Sequence, residues 1–427
     1  MRTLSCTSIL LATTMFLAVG IAQATDVPFG KLQRGKSLVD AGDCVACHTQ
    51  DKSKPFAGGR PIPTPFGTIY SANITPDRDT GIGAWSADDF YRAMHEGIGP
   101  HGERLYPAFP YPYFTKMTRE DVDAIRAYLS ILKPVQNKPP RNELTWPLNH
   151  RDLLAGWDWL FFTPGEFIPE RNKSAEWNRG AYLVEGPGHC GACHTAKNVF
   201  GADKNSTALQ SANIQDWTAP KLVGDDRNGL GRWNTDDIVE YLKTGRNRFS
   251  GATGLMAEVV VNSTSKMPEG DLKAIATYLK SVPSDKEKPE SNPAKSAMNA
   301  GQAIYADSCA ACHQAEGEGV PRMFPPLKGD AVAQQSDPST VIRVILEGAM
   351  TAGTKERPTP SAMPAFDWKL KDDQIAAVAT YVRNAWGNKA PTVSADDVTK
   401  MRKALDASKA SPETVGTGAK IEPQERQ

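Results

Sequence analysis

Cys44-Val45-Ala46-Cys47-His48 has the pattern Cys-x-x-Cys-His, which returns as Cys190-Gly191-Ala192-Cys193-His194 and as Cys309-Ala310-Ala311-Cys312-His313. On a helical turn, positions i, i+3 and i+4 share one face, so two thiols and one imidazole can address the same porphyrin. This pentapeptide is the attachment signal for c-type haem. The sequence therefore predicts three covalently bound haem c groups, with thioether links from Cys44, Cys47, Cys190, Cys193, Cys309 and Cys312 and with His48, His194 and His313 as proximal iron ligands.

Two other uses of paired cysteines fit the spacing poorly. A structural zinc site usually joins two cysteine pairs about a dozen to twenty residues apart. Here the pairs lie more than a hundred residues apart, and each has its own histidine. A thioredoxin-type redox motif expects a βαβ setting, and nothing around these motifs supplies one.

The first 24 residues have the pattern of a secretory signal peptide. Arg2 precedes an apolar run from Ile9 to Ile21, and Ala22-Gln23-Ala24 supplies a small-residue cleavage site. Of the seven cysteines, Cys6 lies ahead of the apolar run, and the three motifs use the other six. We therefore expect no disulfide and a periplasmic location.

Composition limits the partners of the chain. The formal net charge is zero and no basic stretch stands out, which argues against a nucleic-acid partner. After the signal peptide, no segment has the roughly 18 uninterrupted apolar residues of a membrane span. We predict no spanning helix in the mature chain.

Each motif lies within the same series of helical signals. A helix with a glycine leads into the motif, a middle helix follows, and a last helix carries apolar residues at helical spacing together with a tyrosine. Since glycine lets two backbones approach closely, we predict that the first and last helices cross at a glycine and a tyrosine. The predicted pairs are Gly35 with Tyr128, Gly180 with Tyr278, and Gly301 with Tyr381.

This helix order resembles that of class I cytochrome c. We predict an all-α fold of three tandem class I cytochrome c-like domains with long irregular haem-wrapping loops. The predicted segments are a signal peptide at 1–24, domains at 25–133, 172–282 and 296–388, linkers at 134–171 and 283–295, and a polar C-terminal tail at 389–427. The first linker is rich in aromatic residues, which suit packing either between domains or onto a partner: Trp146, Trp157, Trp159, Phe161 and Phe162.

The distal iron ligands are expected to be methionines, which raise the reduction potential of a haem. Met363 lies just before the last helix of the third repeat, where class I cytochromes place this ligand. Met256 takes the comparable place in the second repeat and is preferred to Met267, which suits packing.

The first repeat departs from this pattern. Phe109 stands where a methionine is expected, and its side chain cannot ligate iron. Met117 is the predicted distal ligand, and the alternatives are His101, His95, Met94 or a five-coordinate iron.

The stretch from Gly42 to Tyr113 resembles the three-haem cytochrome c subunit of membrane-bound periplasmic dehydrogenases. The resemblance rests on CVACH, Gly58-Gly59-Arg60, SANITPD, GIGAWS and LYPAFPY, and continues through GHCGACHT, GLMAEVV and CAACH. Members accompany quinoprotein alcohol dehydrogenases or flavoprotein gluconate, sorbitol or fructose dehydrogenases.

The resemblance implies a large dehydrogenase subunit carrying FAD or PQQ as partner and ubiquinone as the electron acceptor. A complex of this kind can also contain a small third subunit. It also implies association with the periplasmic face of the inner membrane through the complex. Family members often attach through a C-terminal amphipathic segment. Here Ser394–Ala410 has only a faint apolar stripe of Val398, Met401 and Leu405.

No dehydrogenase active site is visible in the chain. A G-x-G-x-x-G motif after a strand, the signal of a flavin or nicotinamide domain, is missing from the sequence. The leading hypothesis is an electron-transfer subunit of an oxidoreductase complex. The alternatives are a free-standing multihaem shuttle, an oxidase-linked cytochrome, and a catalytic first haem of peroxidase type.

Overall fold

A computed structural model describes residues 27–284 and 291–410 of the chain. The described residues are mostly helical, with the following helices: α1 (Phe29–Ala41), α2 (Cys44–Cys47), α3 (Ala87–Glu96), α4 (Tyr111–Phe114), α5 (Arg119–Ser130), α6 (Leu154–Phe161), α7 (Ala175–Glu185), α8 (Gly191–His194), α9 (Thr235–Thr244), α10 (Gly254–Asn262), α11 (Glu269–Ser281), α12 (Lys295–Ser308), α13 (Ala310–His313), α14 (Ser339–Glu347), α15 (Asp372–Asn384) and α16 (Ala395–Ala410). The predicted signal peptide at 1–24 lies outside the described residues.

Three helix pairs organise the structure, namely α1 with α5, α7 with α11, and α12 with α15. In each pair the first helix presents its glycine to the backbone of the last helix. A Cβ added at the glycine would lie 2.9 Å from Tyr128 Cβ in the first pair, 2.8 Å from Tyr278 Cβ in the second and 2.6 Å from Tyr381 Cβ in the third. The predicted crossings of the first and last helices at glycine and tyrosine are confirmed.

Each crossing is surrounded by apolar side chains at helical spacing, which is what the amphipathic pattern predicts. The buried residues of the first pair are Leu38, Val39, Val122, Ile125 and Leu129. Those of the second pair are Leu183, Val184, Leu272, Ile275 and Leu279. Those of the third pair are Tyr305, Val378, Tyr381 and Val382.

The middle helices of the first two repeats begin at well-formed caps. Ser86 caps α3 and Asn234 caps α9, and in both cases the carboxylate of the aspartate three residues later accepts a hydrogen bond from the backbone N–H of the cap residue. Thr118 also caps α5 by accepting from Asp121 N. The buried Asp121 carboxylate, however, accepts from Arg34 of α1 and from Tyr182 of α7, so it ties the first repeat to the second.

Short strands interrupt the loops, which the all-α prediction did not include. An antiparallel sheet has the order β1 (Pro61–Thr64), β2 (Gly67–Tyr70), β3 (Glu143–Leu144). Two-stranded pairs are formed by β4 (Ala212–Ile214) with β5 (Trp217–Ala219), and by β6 (Ala349–Met350) with β7 (Ala362–Met363). Because strands of two to four residues need only a few ladder bonds, no long alternating pattern marks them in the sequence.

The region after the third repeat differs from the predicted polar tail. Within 389–427, residues 395–410 form α16, which packs against α14 and α15. Its stripe of Val398, Met401 and Leu405 is buried beside Ile342 and Ile375. The stripe therefore completes the core of the third repeat.

The aromatic linker packs between the first two repeats. Trp157 and Phe162 make edge-on ring contacts with Tyr111 of the first repeat. Trp157 Nε1 also donates to the Phe200 carbonyl of the second repeat, and the ring of Phe161 contacts that of Phe200. Trp146 and Trp159 stay on the surface, 80% and 83% exposed.

Among the residues described, none of the helices combines the length and apolar character needed to cross a bilayer.

Candidate functional site

The three Cys-x-x-Cys-His motifs each form a single helical turn at the end of the first helix of their repeat. The histidine amide closes this turn by donating to the carbonyl of the first cysteine, over 2.9 Å for His48, 3.0 Å for His194 and 3.0 Å for His313. The two thiols and the imidazole of each motif therefore share one face, as the spacing predicts.

The imidazoles of the three motifs make the same contact. Nδ1 of His48 lies 2.6 Å from the Ala72 carbonyl oxygen, Nδ1 of His194 lies 2.7 Å from that of Pro220, and Nδ1 of His313 lies 3.0 Å from that of Pro325. A carbonyl oxygen can only accept, so Nδ1 carries the proton in every case. Burial lowers the pKa of all three imidazoles, which favours the neutral ring.

These contacts make each imidazole suitable as an iron ligand. In a neutral ring with a proton on Nδ1, Nε2 has a free lone pair, which is the form that binds a metal. A backbone carbonyl on the other nitrogen is also the usual partner that fixes the ring orientation of a metal-bound histidine. The donor set therefore fits a haem iron at His48, His194 and His313.

The six motif cysteines are all free of disulfide bonds. Burial raises the pKa of the Cys44 and Cys190 thiols to about 12 and that of Cys309 to about 11. A reactive redox cysteine instead has a lowered pKa, because the thiolate is the nucleophile. Thioether links suit these surroundings because they carry no charge.

Two predicted distal methionines occupy partly exposed positions before the last helix of their repeat. Met363 lies in β7, where its partner across the ladder is Ala349. Met256 lies in the first turns of α10. An antiparallel β-bridge joins Arg246 to Gly251, and Gly251 lies five residues before Met256. The corresponding bridge of the first repeat joins Ile98 to Arg104, which lies five residues before Phe109. The loop geometry therefore supports the equivalence of Met256 and Phe109.

Met117 has different surroundings from these two methionines. It immediately precedes the cap of α5, and Met267 immediately precedes the cap of α11. Met117 is 0% exposed and Met267 is 4% exposed, both within the apolar cores of their repeats. An axial ligand must face the space that accepts the haem, so this burial favours a packing role for Met117 over the predicted role of distal ligand.

The other candidates near the first motif are dispersed. His101 lies on the surface, and its amide donates to Glu103. His95 stacks on Tyr91 with ring centroids 4.9 Å apart. Met94 is buried within the core of the first repeat. None of these contacts singles out one of them as a distal ligand.

The attachment loops of the first and second repeats lie against each other. His189, the residue before Cys190, makes a 3.3 Å contact from Nε2 to the Gly42 carbonyl, two residues before Cys44. Arg60 donates to the Ala46 carbonyl inside the first motif and forms a bidentate ion pair with Glu258. Because Glu258 follows Met256 on α10, this pair connects the first attachment loop to the helix that carries a predicted ligand of the second haem.

The second and third repeats meet through their distal loops. Ala352 N donates to the Ala252 carbonyl over 3.2 Å. Arg246 donates to Ser361 Oγ over 2.9 Å and to the Thr359 carbonyl over 3.0 Å. Sequence reasoning missed these contacts and the carbonyl partners of the histidines. SANITPD, which contains Ala72, entered the sequence analysis only as a motif shared with the family.

Comparison with known proteins agrees with this geometry. Residues 32–133 and 298–386 match the family model of cytochrome c. The chain is 40% identical to the gluconate 2-dehydrogenase cytochrome c subunit of Pantoea cypripedii, over 93% of this chain and 95% of that one. It is 41% identical to the cytochrome c subunit of the quinone alcohol dehydrogenase of Gluconobacter oxydans, over 91% and 85%. It is also 36% identical to the fructose dehydrogenase cytochrome subunit of Gluconobacter japonicus, over 87% and 82%.

Proposed function

The chain belongs to the family of cytochrome c subunits of gluconate, alcohol and fructose dehydrogenases, and from this premise we propose that it carries three covalently bound haem c groups. Its function is electron transfer. We propose that it takes electrons from a large dehydrogenase subunit that contains FAD or PQQ and delivers them to ubiquinone or the respiratory chain. When bound, haem iron supplies the one-electron redox chemistry.

The observation that carries this proposal is the threefold recurrence of one local arrangement. In each repeat a Cys-x-x-Cys-His turn follows the first helix of a crossed pair, and the histidine Nδ1 donates to a backbone carbonyl. A single arrangement of this kind suits several roles. Three copies in one chain suit three equivalent cofactors, held in three class I cytochrome c-like domains at 25–133, 172–282 and 296–388 whose loops wrap the haems.

The residues of the chain have separate tasks in this proposal. The cysteine pairs Cys44 and Cys47, Cys190 and Cys193, and Cys309 and Cys312 anchor the haems. The histidines His48, His194 and His313 hold the iron from the proximal side, and their carbonyl partners keep each ring in one orientation. Met256 and Met363 are the proposed distal ligands, which raise the potentials of their haems. For the first haem, Met117→Leu would separate ligation of the iron from packing in the core.

We propose a periplasmic location for the mature chain, at the outer face of the inner membrane. The support is the signal-peptide pattern of residues 1–24 together with the need of haem c attachment for an export route. Attachment to the membrane through the dehydrogenase complex is the arrangement we expect. The apolar stripe of α16 is buried in the third repeat and so does not supply a membrane-binding face.

The proposal can be tested by purifying the full chain from its own cells with a C-terminal tag. We expect a pyridine haemochrome assay to find three haems per chain, and a large flavin or PQQ subunit to purify with it. Replacing Cys309 and Cys312 by serine should lower the count to two and serves as the internal control. Fewer than three haems in the unaltered chain would contradict the proposal, while three haems without any dehydrogenase subunit would favour the free-standing shuttle.

A further inference from the structure

Arg246 of the second repeat reaches into the third repeat. It follows Gly245 at the end of α9, and only 8% of its surface is exposed. The guanidinium donates to Ser361 Oγ and to the Thr359 carbonyl, which both belong to the distal loop of the third repeat. Nη1 also lies 3.4 Å from the Arg322 carbonyl, three residues before Pro325, whose carbonyl holds His313. The guanidinium is therefore flanked by the segments that hold the proximal and the predicted distal ligand of the third haem.

The positive charge of Arg246 has no carboxylate partner within the described residues. Its Nε is buried and makes no hydrogen bond there. Two other buried arginines are fully engaged: Arg343 pairs with Glu347, and Arg383 donates from all three of its nitrogens to backbone carbonyls. A buried cation without an anion is costly, since water no longer solvates it. Burial and the nearby Arg357 accordingly lower the pKa of Arg246.

The local fold does not require an arginine at this position. The same place, directly after the glycine that ends the middle helix, is taken by Ile98 in the first repeat and by Ala349 in the third. Both residues enter the same kind of short ladder, Ile98 with Arg104 and Ala349 with Met363. The guanidinium therefore serves something other than the helix end.

We propose that Arg246 belongs to the third haem site, where its guanidinium faces the propionate carboxylates of the haem. This inference rests on the proposed function, because it requires a haem at His313. The propionates are the anionic groups of a haem, and a guanidinium binds carboxylates through paired N–H donors. Nε and one Nη nitrogen form such a pair, and Nε is the atom left without a partner.

The proposed contact has an electrostatic consequence. A positive charge close to the haem disfavours the oxidised iron more than the reduced iron, so Arg246 raises the reduction potential of the third haem. Removing the charge by Arg246→Gln should reduce the equilibrium constant for reduction of that haem about tenfold, which corresponds to 59 mV for one electron. The other two haems should keep their potentials.

The test is a spectroelectrochemical titration of the full chain with three haems. Arg246→Gln should lower one midpoint potential, and Arg246→Lys, which keeps the positive charge, should lower it much less. Arg248→Gln should change no midpoint potential, because Arg248 is exposed and pairs with Asp237. Met363→His should lower the potential of the third haem and so separate its step in the titration curve from those of the other two haems. When Arg246→Gln is added to Met363→His, the further shift should appear in that separated step.

Failure of this inference can be distinguished from failure of the proposed function. A haem count of three in every variant shows that the cofactor assignment holds, and unchanged potentials in Arg246→Gln would then overturn the role of Arg246. Should Arg246→Gln not accumulate, Ser361→Ala releases the guanidinium from its side-chain partner with little change in volume. It should lower the same equilibrium constant about two- to threefold, and an unchanged value would equally refute the proposal.

Discussion

Replacing Gly35 by alanine tests the helix crossing on which each repeat is built. A Cβ at this position would lie 2.6 Å from the carbonyl carbon of Ala124 and 2.9 Å from Tyr128 Cβ, and closer still to the Ala124 oxygen. Carbon atoms pack at about 3.5–4.0 Å, so α1 and α5 would have to separate by about 1 Å. The obstructing atoms are mainly backbone, which cannot turn aside as a flexible side chain can.

The expected loss follows from two opposing effects. Alanine gains up to about 1 kcal/mol of helix propensity over glycine. Overpacking of a tight contact costs about 1–3 kcal/mol, and a collision with backbone lies at the upper end of this range. We therefore expect Gly35→Ala to lower the free energy of unfolding of the first repeat by about 2 kcal/mol.

Gly30 offers a matched control on the same helix. A Cβ at this position would meet no atom within 4 Å, so Gly30→Ala should be neutral or slightly stabilising. In thermal unfolding followed by far-ultraviolet circular dichroism, the first transition of Gly35→Ala should fall by about 8 °C or more, since 1 kcal/mol shifts a domain of this size by about 4–8 °C. A Gly35→Ala protein that melts no lower than Gly30→Ala would refute the close crossing.

Three further variants address other contacts. Arg60→Gln breaks a half-buried bidentate ion pair and should lower the free energy of unfolding in urea by about 2 kcal/mol. The double variant with Glu258→Gln should lose less of this free energy than the sum of the two single changes. Strict additivity would show that the ion pair contributes nothing. Met117→Leu keeps the core volume, so we expect an unfolding cost below about 1.5 kcal/mol and an unchanged visible spectrum of the reduced protein; loss of one low-spin signal would instead identify Met117 as the first distal ligand. Leu405→Ala should destabilise the third repeat by about 2–3 kcal/mol, whereas Lys403→Ala on the exposed side of α16 should not, and equal melting temperatures would mean that α16 does not contribute to the core.

The features that were predictable from the sequence are those set by local spacing. Cys44, Cys47 and His48 share one face because they lie on a single helical turn, and this holds wherever the turn occurs in the fold. The glycine and tyrosine of each helix pair were also predictable, because the same spacing recurs around each motif. Comparing the three repeats of this chain with one another shows which positions recur.

The features that were not predictable depend on segments distant in the sequence. The carbonyls that hold the histidines lie 24, 26 and 12 residues beyond them, and a backbone carbonyl has no residue type that marks it. The stripe of α16 was too faint to distinguish a core helix from a polar tail, and its burial was decided by the apolar surface of α14 and α15. Met117 and Met267 show the same limit, since their equivalent positions before the last helix can be read from the sequence, but only the structure shows that both are buried.

Arg60 and Arg246 are among the arginines that connect successive repeats, and the difference in their partners has a consequence. Arg60 reaches from the first repeat to Glu258 of the second, so its charge is neutralised where it crosses the interface. Arg246 reaches from the second repeat to the third and meets only hydroxyl and carbonyl oxygens among the described residues. A charge neutralised by a protein carboxylate adds little net potential at a nearby haem, whereas a charge whose proposed partners are the haem propionates acts directly on that haem through a low dielectric. Arg60→Gln should therefore alter stability more than potentials, and Arg246→Gln should do the opposite.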